Sequence, residues 1–333
     1  VRPDIILRND LGSWNMIEVK SSTSVKEENI HDVAVQSWVL QGCGLEMKRV
    51  FLKHINRECV YPYLSNLFKT DDITEQVKRV LPTILNKLSE YKSILNNSVP
   101  EVSIGEHCSN PYGCQFVDYC WKDVPEHSIF TIPRLRWTVK ERLLEENIID
   151  INNLPSNFSL NDNQLNYLKS LEIKKPIIDW NGIAGELDKL IYPLHFLDFE
   201  TDGSAVPRFE GIHPYEQFPF QYSCHVMDKN GSLEHYEYLH ESDTDPRQPL
   251  TEPLTKVIGE SGSVIAYNAG FEKGIMSKLA QWCPEYTEQL QSIMNRLWDQ
   301  LDIFRKYYTD YRFKGSNSLK KVLPVIIPSM NYE

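Results

Sequence analysis

The chain has 333 residues, 41% of them hydrophobic and 24% charged, a balance that fits a globular protein of two domains plus a connector and not a chain disordered throughout. No uncharged apolar run approaches bilayer length and no secretory pattern opens the chain, so the expected setting is the cytoplasm, away from membranes. A net charge of −11 weighs against a surface that grips phosphates by bulk positive charge; a nucleic-acid partner would have to be met by local basic residues and by carboxylates that hold divalent cations.

Seven cysteines, an odd number, read as reduced thiols, with any cluster of them serving a metal. The chain opens on Val1 and stops at Asn331-Tyr332-Glu333 after an apolar, strand-like run, which reads as a segment cut at both ends. No internal repeat and no low-complexity stretch interrupts it.

The opening predicts a hairpin: a strand over Asp4 to Arg8, a turn over Asn9 to Gly12, and a strand from Trp14 to Ser21. Side chains two apart on a strand share a face, so Glu18 and Lys20 project together, and pairing across the hairpin brings Asp4 beside them. Two carboxylates and an ammonium in one place suit phosphodiester hydrolysis, the acids holding Mg²⁺ and the lysine orienting water or stabilising charge. A surface hairpin with a solvated ion pair explains the same residues. A helix is expected from near Glu28, carrying Gln36. A second helix is expected after Asp72-Ile73-Thr74-Glu75, which has the form of a capping box, with Val77, Val80, Leu81, Ile84, Leu85 and Leu88 as its core stripe.

Pro3-Asp4, Glu18-Val19-Lys20 and then Gln36, in this order, resemble the PD-(D/E)XK nucleases of the RecB type. The resemblance implies that Asp4 and Glu18 bind Mg²⁺ or Mn²⁺, that Lys20 is catalytic, and that Gln36 belongs to a QxxxY helix motif in which Leu40 replaces the tyrosine.

Cys108, Cys114 and Cys120 follow at C-x5-C-x5-C spacing, with Pro111 and Gly113 in the loops. Three thiols this close point to a metal; zinc, usually held at tighter spacing, and three half-buried free thiols are the competing readings. RecB-like nucleases of the iron-sulfur type, CRISPR-associated ones included, are similar. That resemblance implies a structural [4Fe-4S] cluster whose fourth cysteine precedes Val1, with Cys43 and Cys59 as in-chain substitutes.

Residues 126 to 190 predict short helices, around Arg134 to Leu144 and Leu160 to Leu171; Arg134, Arg136, Lys140 and Arg142 read as a solvated face, with a basic face towards a phosphate backbone as the alternative. Beyond them, Leu194 to Thr201 predicts a central strand that puts Asp198 and Glu200 on one face. Like charges at that distance call for a proton or a cation between them. A second buried strand, Val264 to Asn268, leads into a helix capped by Asn268. Its apolar side is expected to hold Phe271, Ile275 and Leu279, and its first turn carries Glu272. Three carboxylates from two elements predict a two-metal site. Gln221 is a further candidate, as lining for a strand groove or as part of an edge turn.

Asp198-x-Glu200 and Asn268-x-x-Phe271-Glu272 resemble the first two motifs of the DnaQ-like DEDD exonucleases on the ribonuclease H-like fold, with Glu272 where that family has Asp. Trp298-Asp299-Gln300-Leu301 and Ser318-Leu319 resemble the strand and helix that follow. The resemblance implies catalysis by Asp198, Glu200 and Glu272, with a His or Tyr base and a final Asp beyond Glu333.

The whole is an expected α/β chain similar to a bacterial family pairing the two nuclease types: a restriction-endonuclease-like domain over 1–125 with its iron-sulfur segment, a helical connector over 126–190, and a ribonuclease H-like domain over 191–333. The expected partner is DNA, with RNA as the alternative substrate. A nucleic-acid-binding protein with impaired sites is the rival function.

Overall fold

The computed structural model describes residues 1–10 and 12–330; Leu11 of the expected turn and residues 331–333 lie outside the described residues. The architecture is α/β. Two compact units divide it, one of Val1–Glu101 with Thr201–Phe218, the other of Val102–Glu200 with Pro219–Glu333. This division places the cysteine segment in the second unit, whereas the sequence groups it with residues 1–125. Among the described residues no helix is long and apolar enough to cross a membrane.

The first unit begins with β1 (Ile5–Arg8) and β2 (Trp14–Lys20), paired antiparallel with Ile5 opposite Ile17. Gly12, at φ +84°, supplies the left-handed residue the turn requires. After α1 (Glu27–Gly42) come β3 (Met47–Ile55), parallel to β2, and β4 (Phe68–Asp72), antiparallel to β3. The four strands follow one another in sheet order. A parallel β2–β3 step needs a crossover, and α1 provides it. Val33, Ala34 and Leu40 of α1 close over Met16, Val50 and Leu52, and Val77 and Ile84 of α2 (Thr74–Asn96) join the same core.

The second of these helices departs from its expected start. Asp72 accepts from the Thr74 N–H at 3.0 Å, but the cap position is Ile73 and Glu75 pairs with Lys78, so no capping box forms. Leu85, expected in the core, is exposed because only a narrow stripe of α2, with Val77 and Ile84, is buried, mainly against α1.

In the second unit α3 (Val117–Cys120) is followed by α4 (Trp137–Glu145) and α5 (Asp162–Ile173), the last opened by a true capping box between Asn161 and Gln164. β5 (Ile177–Ile178) and α6 (Trp180–Leu187) lead to β6 (Leu194–Asp202), β7 (Phe218–Met227) and β8 (Leu233–Leu239). Next come α7 (Arg247–Ile258), β9 (Ser263–Ala266), α8 (Gly270–Trp282), α9 (Thr287–Asn295), β10 (Leu297–Asp299), α10 (Leu301–Lys306), β11 (Tyr308–Thr309) and α11 (Leu319–Ile326). A five-stranded sheet runs β10-β9-β6-β7-β8, and β11 pairs separately with β5.

β6 is the central strand of the five, and β9 and β10 lie parallel to it. All four residues of β9 are buried, the pattern of a strand covered on both faces. Ile275, Met276 and Leu279 of α8 and Leu250 and Leu254 of α7 pack over Leu197, Phe199 and Val264. Three expectations change. Asn268 is not the cap of α8, which is Ala269, because Asn268 takes a left-handed turn at φ +71°. Phe271 points outward and Met276 takes the core position. The apolar run near the end of the chain is not a strand: Val325 and Ile326 finish α11.

Candidate functional site

In the first unit the hairpin register sets Asp4 opposite Glu18, one step beyond the Ile5–Ile17 pair. The Asp4 carboxylate accepts the Val19 backbone N–H at 2.8 Å, which anchors it against β2. Glu18 faces inward at 6% exposure. Lys20 reaches Glu18 at 2.9 Å and Asp32 of α1 at 2.6 Å. Burial works against the ammonium form of Lys20, but its bonds to Asp32 and Glu18 outweigh this and hold its pKa above the ordinary lysine value. The Gln36 amide donates to Asp32 at 3.4 Å, so Glu18, Lys20, Asp32 and Gln36 form one chain of contacts.

Asp32 was not singled out in the sequence. It lies four residues before Gln36 and so on the same face of α1, a signal that helical spacing carries. Leu40, at the place of the family's tyrosine, is buried in the core and adds no polar group.

In the second unit, Asp198 and Glu200 alternate with the buried Leu197 and Phe199 on β6, so both carboxylates leave the same face and reach solvent. Neither makes an ion pair or side-chain hydrogen bond among the described residues. Glu272 sits in the first turn of α8 at 4% exposure. Desolvation, with added repulsion from Asp198 and Asp299, lifts its carboxyl from the ordinary 4.5 to about 7. Asp299 ends β10 and accepts the Asn268 N–H at 2.9 Å and the Leu301 N–H at 3.0 Å. The sequence had marked Asp299 only as part of a strand. Its place beside Glu272 depends on the parallel β9–β10 pairing, which no local pattern announces.

Asp198 of β6 and Asp299 of β10 thus lie within electrostatic reach of Glu272 of α8. Open parallel sheets present their ligand sites at strand carboxyl ends, next to the central strand. Gln221 is half-buried on β7 and makes no side-chain hydrogen bond among the described residues.

Six buried side-chain polar atoms lack a partner among the described residues, and three of them belong to expected site residues: Glu18 Oε2, Gln36 Oε1 and Glu272 Oε2. A buried carboxylate oxygen without a donor costs on the order of 1–3 kcal/mol or more, and a hard cation is the partner such oxygens accept. As positioned, no three His, Cys, Asp or Glu side chains among the described residues are gathered closely enough to enclose a metal ion.

The thiols of Cys108, Cys114 and Cys120 lie on a short turn, a loop and the end of α3. Cys108 is buried, the other two are half-buried, and Cys114 Sγ accepts the Phe116 N–H at 3.4 Å. As positioned, the three thiols are free and are not gathered into a group that could hold a metal ion. Cys59 is buried with its thiol directed at the Tyr63 carbonyl, and Cys43 is exposed.

No curated protein and no solved structure matches the chain. Residues 195–318, the stretch that carries Asp198, Glu200, Glu272 and Asp299, match a family model described as a domain of unknown function, DUF2779.

Proposed function

We propose that this chain is a metal-dependent nuclease that hydrolyses phosphodiester bonds of nucleic acid, DNA in the first place, with an acidic site in each unit. One observation carries the reading: among the described residues, the two carboxylate oxygens buried without a partner belong to Glu18 and Glu272, one in each acidic set. Burial of an unpaired acceptor is penalised, so an acid that keeps such an oxygen is a candidate to meet a partner absent from the chain itself.

In the second unit Asp198, Glu272 and Asp299 would hold Mg²⁺ or Mn²⁺, with Glu200 beside them on β6. The bound ion would supply Lewis-acid stabilisation of charge on the phosphate. Glu272, whose carboxyl is lifted to about 7 by burial, would have to be ionised to hold the cation. In the first unit Asp4 and Glu18 would hold the ion, while Lys20, fixed between Glu18 and Asp32, directs its remaining N–H toward a phosphate oxygen. Gln36 steadies Asp32 and so the lysine. The cysteine segment is proposed to hold a structural [4Fe-4S] cluster; visible absorption of freshly purified protein tests it, since zinc or free thiols leave the protein colourless.

The function is tested with the full chain, Mg²⁺ or Mn²⁺, and end-labelled single- and double-stranded DNA and RNA. Degradation that falls by at least about a hundredfold in both Glu18→Gln and Glu272→Gln, or in one of them for each of two separable activities, is the expected result. Absence of any degradation by the unaltered chain, with no heat of Mn²⁺ binding by calorimetry, rejects it. Leu40, which removes the tyrosine of the helix motif, favours as a second reading a protein that binds nucleic acid without cutting it at the first site. Cation-independent binding together with no digestion is its signature.

A further inference from the structure

A cleft of about 740 Å³ opens in the second unit between the segment that precedes α4, the start of α5, and the loops around β9, α10 and α11. Its wall carries two arginines, Arg134 and Arg305, and the rings of Tyr267 and Phe304. Arg134 is exposed, forms no ion pair among the described residues, and sits at φ +51°, a left-handed conformation that a non-glycine residue adopts at a cost of about 1 kcal/mol or more. Arg305 stands at the junction with the acidic set, 3.8 Å from Asp299 and 3.6 Å from Asp302. Both distances are long for ion pairs and leave its guanidinium able to turn to another anion. Of the two acids on the wall, Asp310 is already engaged by Arg312 at 2.6 Å, and Asp162 is solvated at the first turn of α5.

The cleft is continuous with the acidic set. Asn268 and Leu301, whose backbone N–H groups hold Asp299, also line it. Tyr267 is fixed by its hydroxyl on the Asn317 carbonyl at 2.6 Å, and its ring lies 6.1 Å from that of Phe304. Arginines with aromatic rings beside them are the groups that take an unpaired strand, since phosphates meet cations and exposed bases meet ring faces. The volume is that of a small-ligand pocket, too confined for a duplex. Arg134 and the start of α5 lie outside the stretch that the family model matches, so this wall is added by the connector.

We propose that this cleft is a single-strand subsite, in which Arg134 and Arg305 take backbone phosphates next to the scissile one while Tyr267 and Phe304 offer stacking surface to the bases. The proposal rests on the nuclease reading of the acidic set and extends it to substrate form.

Fluorescence anisotropy of the full chain with a labelled oligothymidylate, in EDTA so that nothing is cut, tests it. Arg134→Glu is expected to weaken binding about tenfold and to flatten the dependence of log affinity on log salt by roughly 0.7, the contribution of one phosphate contact on a single strand. Arg134→Lys is expected to keep most of the affinity, and unlabelled duplex of the same length to compete poorly. Arg134→Glu protein that melts like the parent yet binds with unchanged affinity and salt slope overturns the proposal, as does duplex that competes as well as single strand. A parallel digestion assay with Mn²⁺ separates the two readings. Digestion lost in Glu272→Gln with binding indifferent to Arg134 keeps the nuclease and rejects the cleft. Arg134-dependent binding with no digestion by the unaltered chain keeps the cleft and rejects the nuclease.

Discussion

The Asn268 backbone N–H donates to Asp299 Oδ1 at 2.9 Å, which ties the turn that launches α8 to the end of β10. The same oxygen accepts from Leu301, so one carboxylate sets where two helices begin. Asp299→Ala leaves both N–H groups without this acceptor and is expected to lower stability by about 1–2 kcal/mol. Asp299→Asn keeps an acceptor oxygen and is expected to melt close to the parent. Thermal unfolding of the two variants side by side distinguishes a positioning role, with alanine the weaker, from a purely electrostatic one, with both alike.

Glu272 gives the second unit a stability that depends on pH in a defined direction. Its folded pKa of about 7 lies above the ordinary 4.5, so the folded chain binds more protons than the unfolded one between these values. The contribution of this residue is fully present below about 4.5 and is lost as pH rises through about 7, a difference on the order of 3 kcal/mol. Glu272→Gln is therefore expected to raise the melting temperature at pH 8 and to change it little near pH 5. Mn²⁺ at pH 8 is expected to stabilise the parent and not the variant. Equal melting shifts at both pH values would remove the basis for this assignment.

Lys20 is the counter-ion of a nearly buried carboxylate. Lys20→Met takes away the partner of Glu18 Oε1, while Oε2 already has none among the described residues, and is expected to cost about 2 kcal/mol. Adding Glu18→Gln to that variant is expected to recover part of the loss, because the uncompensated charge disappears with it. Chemical denaturation of both single variants and the double one measures the coupling. Strict additivity would mean that the pair is screened by water.

Gly262 precedes β9 at φ +87°, and a Cβ there would run into the Pro193 carbonyl oxygen. Neither rotation nor a flexible neighbour relieves that collision. Gly262→Ala is expected to destabilise the second unit by about 3 kcal/mol and to reduce Mn²⁺ affinity through the displaced strand. Melting and calorimetry of the variant check both effects.

Much of the local structure could be read from the residues. The strand, turn, strand order over Asp4 to Ser21 announced the hairpin, and a period of two put Asp198 and Glu200 on one face of β6. Failures occurred where tertiary pairing decides. β3, with its charged Lys48, Arg49 and Lys53, does not look like a central strand, yet it lies between β2 and β4. The return of residues 201–218 to the first unit rests on contacts such as the Tyr61 N–H to the Ile212 carbonyl, across about 150 residues of chain. Asp32 and Asp299 acquire their partners in the same way, from helix facing and strand order. Phe271 and Leu85 mislead because apolar spacing marks a stripe without saying how wide the contact beneath it is.

Asp198 and Asp299 stand roughly a hundred residues apart in the chain, and they meet only because β6, β9 and β10 align in parallel. The proposed cation locus of the second unit is therefore expected to form late in folding. Manganese should leave the refolding rate of this unit unchanged and prolong the lifetime of its native state, acting as a latch applied after closure and not as a seed for it.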